Sequence, residues 1–162
     1  MTVSVRLANY ADPKDAAHVV GLLDIYARDP MGGGAPLADD VRAILIERLQ
    51  EQPSVFSLLA FSNDRAVGLM NCVWGFSTFA ASPLVNIHDL IVSPEARGQG
   101  IGKALFAAVE EIARDQGACK VTLEVLSGNE PAKALYASLG YGDYVLDPEQ
   151  GKALFWQKKM AA

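Results

Sequence analysis

The sequence feature that most constrains the fold is a glycine-rich segment, "RGQGIG" at residues 97–102, which lies between two apolar runs. The run before it, "LVNIHDLIV", is apolar except at Asn86, His88 and Asp89, which is typical of a strand inside a covered sheet. The run after it is apolar at helical spacing, at Ile101, Leu105, Ala108, Val109 and Ile112. The segment therefore predicts a strand that turns through glycines directly into a helix.

Glycines at the start of a helix favour an anion site, because backbone N–H groups and the positive helix end are open to a phosphate. The segment is not a Walker A loop, since Arg97 stands in place of the first glycine and Ala104 in place of the hydroxyl residue. It is not a dinucleotide fingerprint either, because Gly98, Gly100 and Gly102 are spaced G-x-G-x-G. Taken alone, the segment also fits a turn that binds no ligand.

Length and composition predict one domain over residues 1–162, since 51% of the 162 residues are apolar. With no signal-peptide pattern or membrane span in the sequence, we expect a cytoplasmic protein with no membrane partner. The net charge of −5 argues against unspecific nucleic-acid binding and is compatible with a cationic small substrate. Cys72 and Cys119 lie in apolar, strand-like runs, so we expect buried free thiols and neither a disulfide nor a metal site.

The rest of the chain alternates strand and helix patterns. Asp12 and Pro13 predict a helix start, "RDPMGGGAP" a glycine-rich connection, and Asn63-Asp64 a hairpin turn. A second helix is expected to bury one apolar face, composed of Leu37, Val41, Ile44, Leu45 and Leu49. Near the end, "CKVTLEVL" predicts a strand and Asn129 a helix cap, and "YGDYVLD" and "ALFWQKKM" predict a closing pair of strands.

Two segments resemble the signatures of the GCN5-related N-acetyltransferase (GNAT) family. "LIVSPEARGQGIGKALF" is similar to its acyl-CoA-binding motif, [RQ]-x-x-G-x-[GA], and "GNEPAKALYASLGY" to its second signature, a helix that carries a tyrosine before "LGY". The resemblance implies an α/β (α+β) fold with a mixed sheet of about seven strands, splayed between the fourth and fifth, and about four helices. It also implies that acetyl-CoA lies in the opening and that no metal takes part.

The resemblance assigns the cofactor contacts residue by residue. The end of the "LVNIHDLIV" strand would meet the pantetheine arm, and backbone amides of residues 98–103 would hold the pyrophosphate. Asn129 has two readings, an N-cap of its helix or a contact to CoA. The full set of expected cofactor-binding residues is Leu90, Ile91, Val92, Arg97, Gly98, Gln99, Gly100, Ile101, Gly102, Lys103 and Asn129.

Two residues are candidates for the chemistry. Tyr136 lies on an apolar helical stripe and could be a core aromatic, whereas the resemblance makes it the acid that protonates the CoA thiolate. His88 stands where polyamine-type members of the family carry a glutamate, and histidine is able to act as a base at neutral pH; a packed histidine is the alternative. Asp89 should face away from His88 unless the strand is bulged.

These patterns predict an N-acetyltransferase that transfers acetyl from acetyl-CoA to a small primary amine by direct attack in a ternary complex. Two alternatives stay open: a non-catalytic acyl-CoA-binding regulatory domain, and an enzyme that acetylates a protein or peptide. Dimers are common in the resembling family, so the resemblance is compatible with a homodimer, although the sequence itself does not show the oligomeric state. Among the acidic groups that would attract a cationic amine are Asp29, Asp39, Asp40 and Asp89.

Overall fold

The computed structural model describes residues 1–161 and contains five strands and four α-helices. The strands are β1 (Val3–Leu7), β2 (Val55–Ser62), β3 (Arg65–Ser77), β4 (Ser82–Val92) and β5 (Val121–Leu123). The helices are α1 (Pro13–Arg28), α2 (Asp39–Gln50), α3 (Ile101–Asp115) and α4 (Glu130–Ser138). The alternation of strands and helices matches the predicted α/β class.

The strands form one mixed sheet in the order β1-β2-β3-β4-β5. The first four are antiparallel neighbours, and β5 pairs with β4 in parallel. The β2–β3 turn has positive φ at Asn63 (49°) and Asp64 (65°), as a two-residue hairpin of the predicted kind requires. The ladder between β4 and β5 covers residues 85–87, although β4 runs on to Val92. The ladder therefore ends at Ile87, which pairs with Leu123, the last residue of β5, and the expected splay between the two strands stays a prediction.

One core cluster joins α1 to a single face of this sheet. Val19 and Leu22 of α1 are buried against Leu59, Leu69 and Ile91, which come from β2, β3 and β4. Because side chains alternate along a strand, these three residues fix the faces of their neighbours as far as the register shifts in the β2–β3 and β3–β4 ladders. The opposite face receives α3, whose buried residues include Ile101, Leu105, Phe106 and Val109.

The close approach of α3 to the sheet depends on a glycine in β3. A Cβ atom on Gly68 would lie 2.8 Å from Ile101 Cγ2 and 3.1 Å from Leu105 Cδ1. Helix α3 ends where predicted: Gly117 has φ +71°, and the Ala118 amide donates to the Ala113 carbonyl in a Schellman arrangement. The first turn of α3 can thus approach the sheet because Gly68 has no side chain, and the helix ends at Gly117, a glycine in the left-handed region.

The described chain divides into two compact units, residues 1–123 and residues 124–161. The first contains the sheet with α1, α2 and α3, and the second contains α4. The sequence prediction of one domain over residues 1–162 stays a prediction.

Three expectations about individual elements were wrong. The sheet has five strands and not the expected seven, because residues 124–161 form no strand. The segments "YGDYVLD" and "ALFWQKKM" are joined by one backbone hydrogen bond, from Ala153 N to Tyr144 O (2.8 Å), but they do not form a ladder. Cys119 is exposed, since it lies in the bend before β5 and not in the strand. In α2, Val41 and Ile44 are exposed, while Ile46 and Leu49 pack against the core.

Candidate active site

The glycine turn before α3 has the backbone geometry that an anion site needs. Gly98 (φ +76°) and Gly100 (φ +81°) both occupy the left-handed region, and Gly100 is the N-cap of the helix. The Ala104 amide donates to the Gly100 carbonyl at 3.0 Å, so the amides of Ile101, Gly102 and Lys103 form the first turn, which has no helical acceptor. Gly98, Gln99 and Gly100 are exposed, and the turn is therefore open to a ligand.

The strand that leads into this turn supplies the second part of the site. Leu90, Ile91 and Val92 of β4 pair with β3 on one edge and lie beyond the last residue pair with β5, Ile87 and Leu123. The side chain of Ile91 is buried, and those of Leu90 and Val92 are half-buried. This stretch of β4 lies beyond the end of β5 at Leu123, and its expected contact with a pantetheine arm stays a prediction.

Arg97 links the glycine turn to the end of α1. Its guanidinium lies 3.4 Å from Asp29 Oδ2, and its Nε donates to the Val92 carbonyl at 3.4 Å. Asp29 also accepts from the Met31 amide at 2.9 Å and so caps the turn at Pro30–Gly32. The Arg97 side chain is more than half exposed, and an anion at the turn would have direct access to it.

The glycines of "DPMGGGAP" have a structural role of their own. A Cβ atom on Gly32 would overlap the carbonyl oxygen of Tyr26, so this residue must be glycine for the chain to fold back on α1. The amide of Ala35 then donates to the Ala27 carbonyl at 3.1 Å. The segment is a defined turn that brings Asp29 beside Arg97.

Strand β4 is bulged at His88. Asn71 of β3 pairs with Asp89, whereas the next residue of β3, Cys72, pairs with Ile87, so that His88 is the extra residue. Asp89 thereby joins the α1 face of the sheet, the face of Ile91 and Leu69, and its side chain is half-buried. His88 is exposed, and among residues 1–161 no hydrogen bond or ion pair joins it to Asp89.

A chain of polar side chains leads to Asp89 through the sheet. The hydroxyls of Tyr10 and Ser57 lie 2.7 Å apart, Ser57 Oγ donates to Asn71 Oδ1 at 2.6 Å, and Asn71 Nδ2 donates to Asp89 Oδ2 at 3.0 Å. Sequence reasoning missed Tyr10, Ser57 and Asn71 as site residues. Their one signal was a polar residue in each of two apolar strands, "VFSLLAF" and "AVGLMNCVW".

Asp89 contributes to the raised pKa values of two groups, the half-buried Tyr26 and the buried Cys72. Burial raises the pKa of the Tyr26 phenol, and the charges of Asp89 and Asp29 raise it further. Burial, with a smaller contribution from Asp89, raises the pKa of the Cys72 thiol to about 12. Cys72 is therefore an inert core thiol, as expected.

The second unit carries the other two predicted residues. Asn129 is the N-cap of α4, and its Oδ1 accepts from the Ala132 amide at 3.3 Å. Tyr136 is half-buried in α4, which ends in a Schellman arrangement at Gly140 (φ +92°). The N-cap reading of Asn129 is confirmed, while its contact with CoA and the acid role of Tyr136 stay predictions.

Within residues 1–161 no three His, Cys, Asp or Glu side chains are grouped so as to hold a metal ion. None of the helices in that range has the length and apolar character needed to cross a membrane.

A mixed sheet in which β4 leads through a glycine turn directly into α3 is the α/β arrangement that the resemblance to acyl-CoA-binding proteins predicts. Residues 19–141 match the model of the acetyltransferase (GNAT) family, and the chain belongs to that family. It is accordingly an acyltransferase, and the co-substrate of the family is acetyl-CoA.

Similar proteins agree with this assignment. The chain is 31% identical over 131 residues to an uncharacterised N-acetyltransferase of Bacillus subtilis, which covers 81% of this chain and 86% of the relative. It is 30% identical over 91 residues to a thialysine N-epsilon-acetyltransferase of Caenorhabditis elegans, or 56% of each chain. A solved aminoglycoside acetyltransferase from a soil metagenomic sample superimposes with a TM-score of 0.75 over 99% of this chain and all of that one; at 22% identity this likeness concerns the fold alone.

Proposed function

We propose that this enzyme transfers the acetyl group of acetyl-CoA to a primary amine of a small molecule by direct attack in a ternary complex. The observation that supports this most strongly is the glycine turn at the start of α3, which adjoins the stretch of β4 that lies beyond its ladder with β5. The turn offers three first-turn amides to the pyrophosphate, and the adjoining strand borders the path for the pantetheine arm.

The reaction needs two proton transfers. A primary ammonium must lose a proton before its nitrogen attacks the thioester carbon, and the sulfur must gain one as the carbon–sulfur bond breaks. We assign the first transfer to His88, which is exposed and directly follows Ile87, the last residue of β4 that pairs with β5, and the second to the phenol of Tyr136. A phenol with a pKa near 10 is a suitable donor to a thiolate near 8.5.

The proposed acceptor is a small cationic amine. The net charge of −5 and the carboxylates of Asp29 and Asp89, which both act on Tyr26, favour a cation over an anion. The relative from Caenorhabditis elegans carries a name that specifies a small amine, thialysine. The cytoplasmic location expected from the sequence stays a prediction, and so does a homodimer.

The test is release of CoA from acetyl-CoA in the presence of a matched panel: a diamine, lysine, glutamate and a short peptide, at low salt, where electrostatic effects are largest. The diamine and lysine should react faster than glutamate. Turnover of the peptide alone would favour a protein N-acetyltransferase. Binding of acetyl-CoA without release of CoA for any amine would identify a non-catalytic acyl-CoA-binding domain.

A further inference from the structure

Ser93 carries a buried hydroxyl without a hydrogen-bond partner. The residue is 2% exposed, and within residues 1–161 its Oγ is the one buried side-chain nitrogen or oxygen atom that has no partner. The buried side chains of Asp15 and Ser57, in contrast, each bond to two other residues. Because an unpaired buried hydroxyl costs folding free energy, its presence calls for a reason other than stability.

The local backbone does not require this hydroxyl. Ser93 is the N-cap of the 3₁₀ turn Pro94–Ala96, where a serine side chain normally accepts from the amide of the second or third residue, but it makes no such bond here. The backbone closes the turn instead, from the Ala96 amide to the Ser93 carbonyl at 2.9 Å, and the Ser93 amide donates to the Val67 carbonyl at 2.8 Å. Alanine could make both bonds, so the fold explains the position but not the hydroxyl.

The position of Ser93 joins two parts of the proposed cofactor site. It directly follows Val92, the last residue of β4, and directly precedes the segment that leads into the glycine turn. Ala96 is 3% exposed, whereas Gly98 and Gly100 are exposed. Ser93 and Ala96 therefore form a buried base, tied to β3 by the Ser93 amide, for a turn whose tip is open to solvent.

The glycine turn is loosely held above this base. Arg97 makes three contacts of 3.4 Å each: its amide with the Pro94 carbonyl, its Nε with the Val92 carbonyl, and its guanidinium with Asp29 Oδ2. Since protein N–H···O hydrogen bonds are typically about 2.7–3.2 Å long, all three contacts have room to shorten. Two of the acceptors, the carbonyls of Val92 and Pro94, flank Ser93. An anion that attracts the guanidinium would therefore act on the backbone on both sides of the hydroxyl.

We propose that Ser93 is a positioning residue for the cofactor. When the pyrophosphate of CoA engages the glycine turn and draws Arg97 toward it, the turn tightens, and the Ser93 side chain rotates to accept from the amide of Glu95 or Ala96 as a regular N-cap. The hydroxyl gains in the bound state the partner that it lacks in the free protein, and this gain adds to cofactor affinity. The proposal rests on the proposed function and adds to it a residue that acts through the turn and not on the substrates.

Calorimetric titration of CoA into the free protein tests this without turnover. In Ser93→Ala the affinity for CoA should fall about tenfold, because the bound state loses the new hydrogen bond. Ser93→Thr, which keeps a hydroxyl able to cap, should bind CoA more tightly than Ser93→Ala. The matched control is Ser82→Ala at the other end of β4, which deletes the 3.0 Å hydrogen bond from Ser82 Oγ to the Ala80 carbonyl and should leave the affinity unchanged.

The stability of the free protein separates positioning from a structural role. Because no described residue bonds to the hydroxyl, Ser93→Ala should leave the urea midpoint of the free protein unchanged or higher. Ser57→Ala, which removes a buried hydroxyl with two partners, should lower it. In steady state, Ser93→Ala should raise KM for acetyl-CoA while kcat stays close to wild type, since the lost interaction is present in ground state and transition state alike.

The outcomes distinguish this proposal from the proposed function. A Ser93→Ala variant that binds CoA as tightly as the wild type, or whose urea midpoint falls as in Ser57→Ala, would overturn the role of Ser93 and leave the proposed function intact. The expected loss of CoA affinity without turnover of acetyl-CoA by any amine would overturn the proposed function alone. No binding of CoA to the wild type would overturn both.

Discussion

Arg6 and Asp15 form a two-pronged ion pair, with Nη1 2.7 Å from Oδ2 and Nη2 2.8 Å from Oδ1. The pair fastens β1 to α1, and the Asn9 amide also donates to Asp15 at 2.8 Å. The hydrogen bonds from Arg6 lower the pKa of Asp15 to about 2, with the Asn9 amide acting in the same direction against burial. The carboxylate is 1% exposed, so it depends on these donors.

The first prediction is a pH-dependent contribution of Asp15 to stability. A lowered pKa in the folded state means that the stabilisation is complete above the ordinary carboxyl pKa of about 3.9 and is lost as the pH falls toward 2. Asp15→Asn should therefore lose about 2 kcal/mol of unfolding free energy at neutral pH, and this difference should shrink on acidification. Urea unfolding from about pH 2 to 7 measures it.

A control for this prediction is Glu95→Gln. Glu95 lies 2.6 Å from Arg65, but both side chains are about half exposed or more, so the loss should be below about 1 kcal/mol. A difference between wild type and Asp15→Asn that stays constant down to pH 2 would contradict the assigned pKa.

The second prediction concerns the contact between Gly68 and α3. In Gly68→Ala the new methyl would lie 2.8 Å from Ile101 Cγ2 and 3.0 Å from Ala60 Cβ, so the start of α3 must move. We expect a loss of about 1–3 kcal/mol in unfolding free energy and a weaker affinity for acetyl-CoA. The matched control is Gly21→Ala in α1, whose Cβ would meet nothing within 4 Å and which should gain about 0.5–1 kcal/mol. If Gly68→Ala has the same unfolding free energy as the wild type, the sheet and α3 are packed less tightly at this position than these distances indicate.

The third prediction uses the two left-handed glycines at the ends of α3. Acetyl-CoA at about a hundred times its Kd should add about 2.7 kcal/mol to stability and raise the Tm, whereas ATP and NAD should not. Gly100→Leu should abolish this rise, because the side chain blocks the approach of the pyrophosphate to the backbone.

Gly117→Leu is the control in that experiment, because it introduces the same kind of backbone strain away from the glycine turn. Gly117 has φ +71° against +81° for Gly100, and neither position has an atom within 4 Å of an added Cβ. Both variants should lower the Tm of the free protein by similar amounts, since the left-handed region costs a non-glycine residue about 1–2 kcal/mol. The rise with acetyl-CoA should survive in Gly117→Leu alone, and its survival in Gly100→Leu would remove the turn from the cofactor site.

Local patterns predicted the parts of the fold that depend on neighbours in the chain. Asp12 caps α1 and Asn129 caps α4, because each side chain needs only an amide two or three residues ahead. The left-handed glycines at 98, 100 and 117 follow from the same local rule. The strand-turn-helix unit that carries the proposed cofactor site could therefore be found from sequence.

Features set by distant contacts could not be found in this way. In α2, apolar residues occupy more than one face, and packing against α1 selects Ile46 and Leu49, while Arg42 reaches Asp24 on α1 at 2.7 Å. The partners of Asn71 come from strands whose register was not predictable from their composition. The bulge at His88 likewise exists only relative to β3, and it decides which face Asp89 occupies.

The fourth prediction tests His88 as the base. His88→Gln should lower kcat/KM for the amine near neutral pH, with partial recovery as the pH rises and more of the amine is already neutral. The other histidine of the chain, His18, lies edge-on to Phe61 with the ring centres 5.9 Å apart, so His18→Gln serves as the control. A profile for His88→Gln that matches the wild type would leave His88 without a role in proton transfer.

The fifth prediction tests Tyr136 as the acid. Tyr136→Phe removes a proton donor and little surface, so kcat should fall by roughly 10²-fold or more while acetyl-CoA binding stays close to wild type. Tyr144→Phe removes the hydroxyl of an exposed tyrosine in the same unit and should change neither quantity. Because a thiolate is a poorer leaving group than a thiol, the defect should be smaller with an acyl donor whose thiol has a lower pKa. If Tyr136→Phe keeps its kcat but loses stability, Tyr136 is a packed aromatic of α4 and the proton reaches the thiolate from another donor.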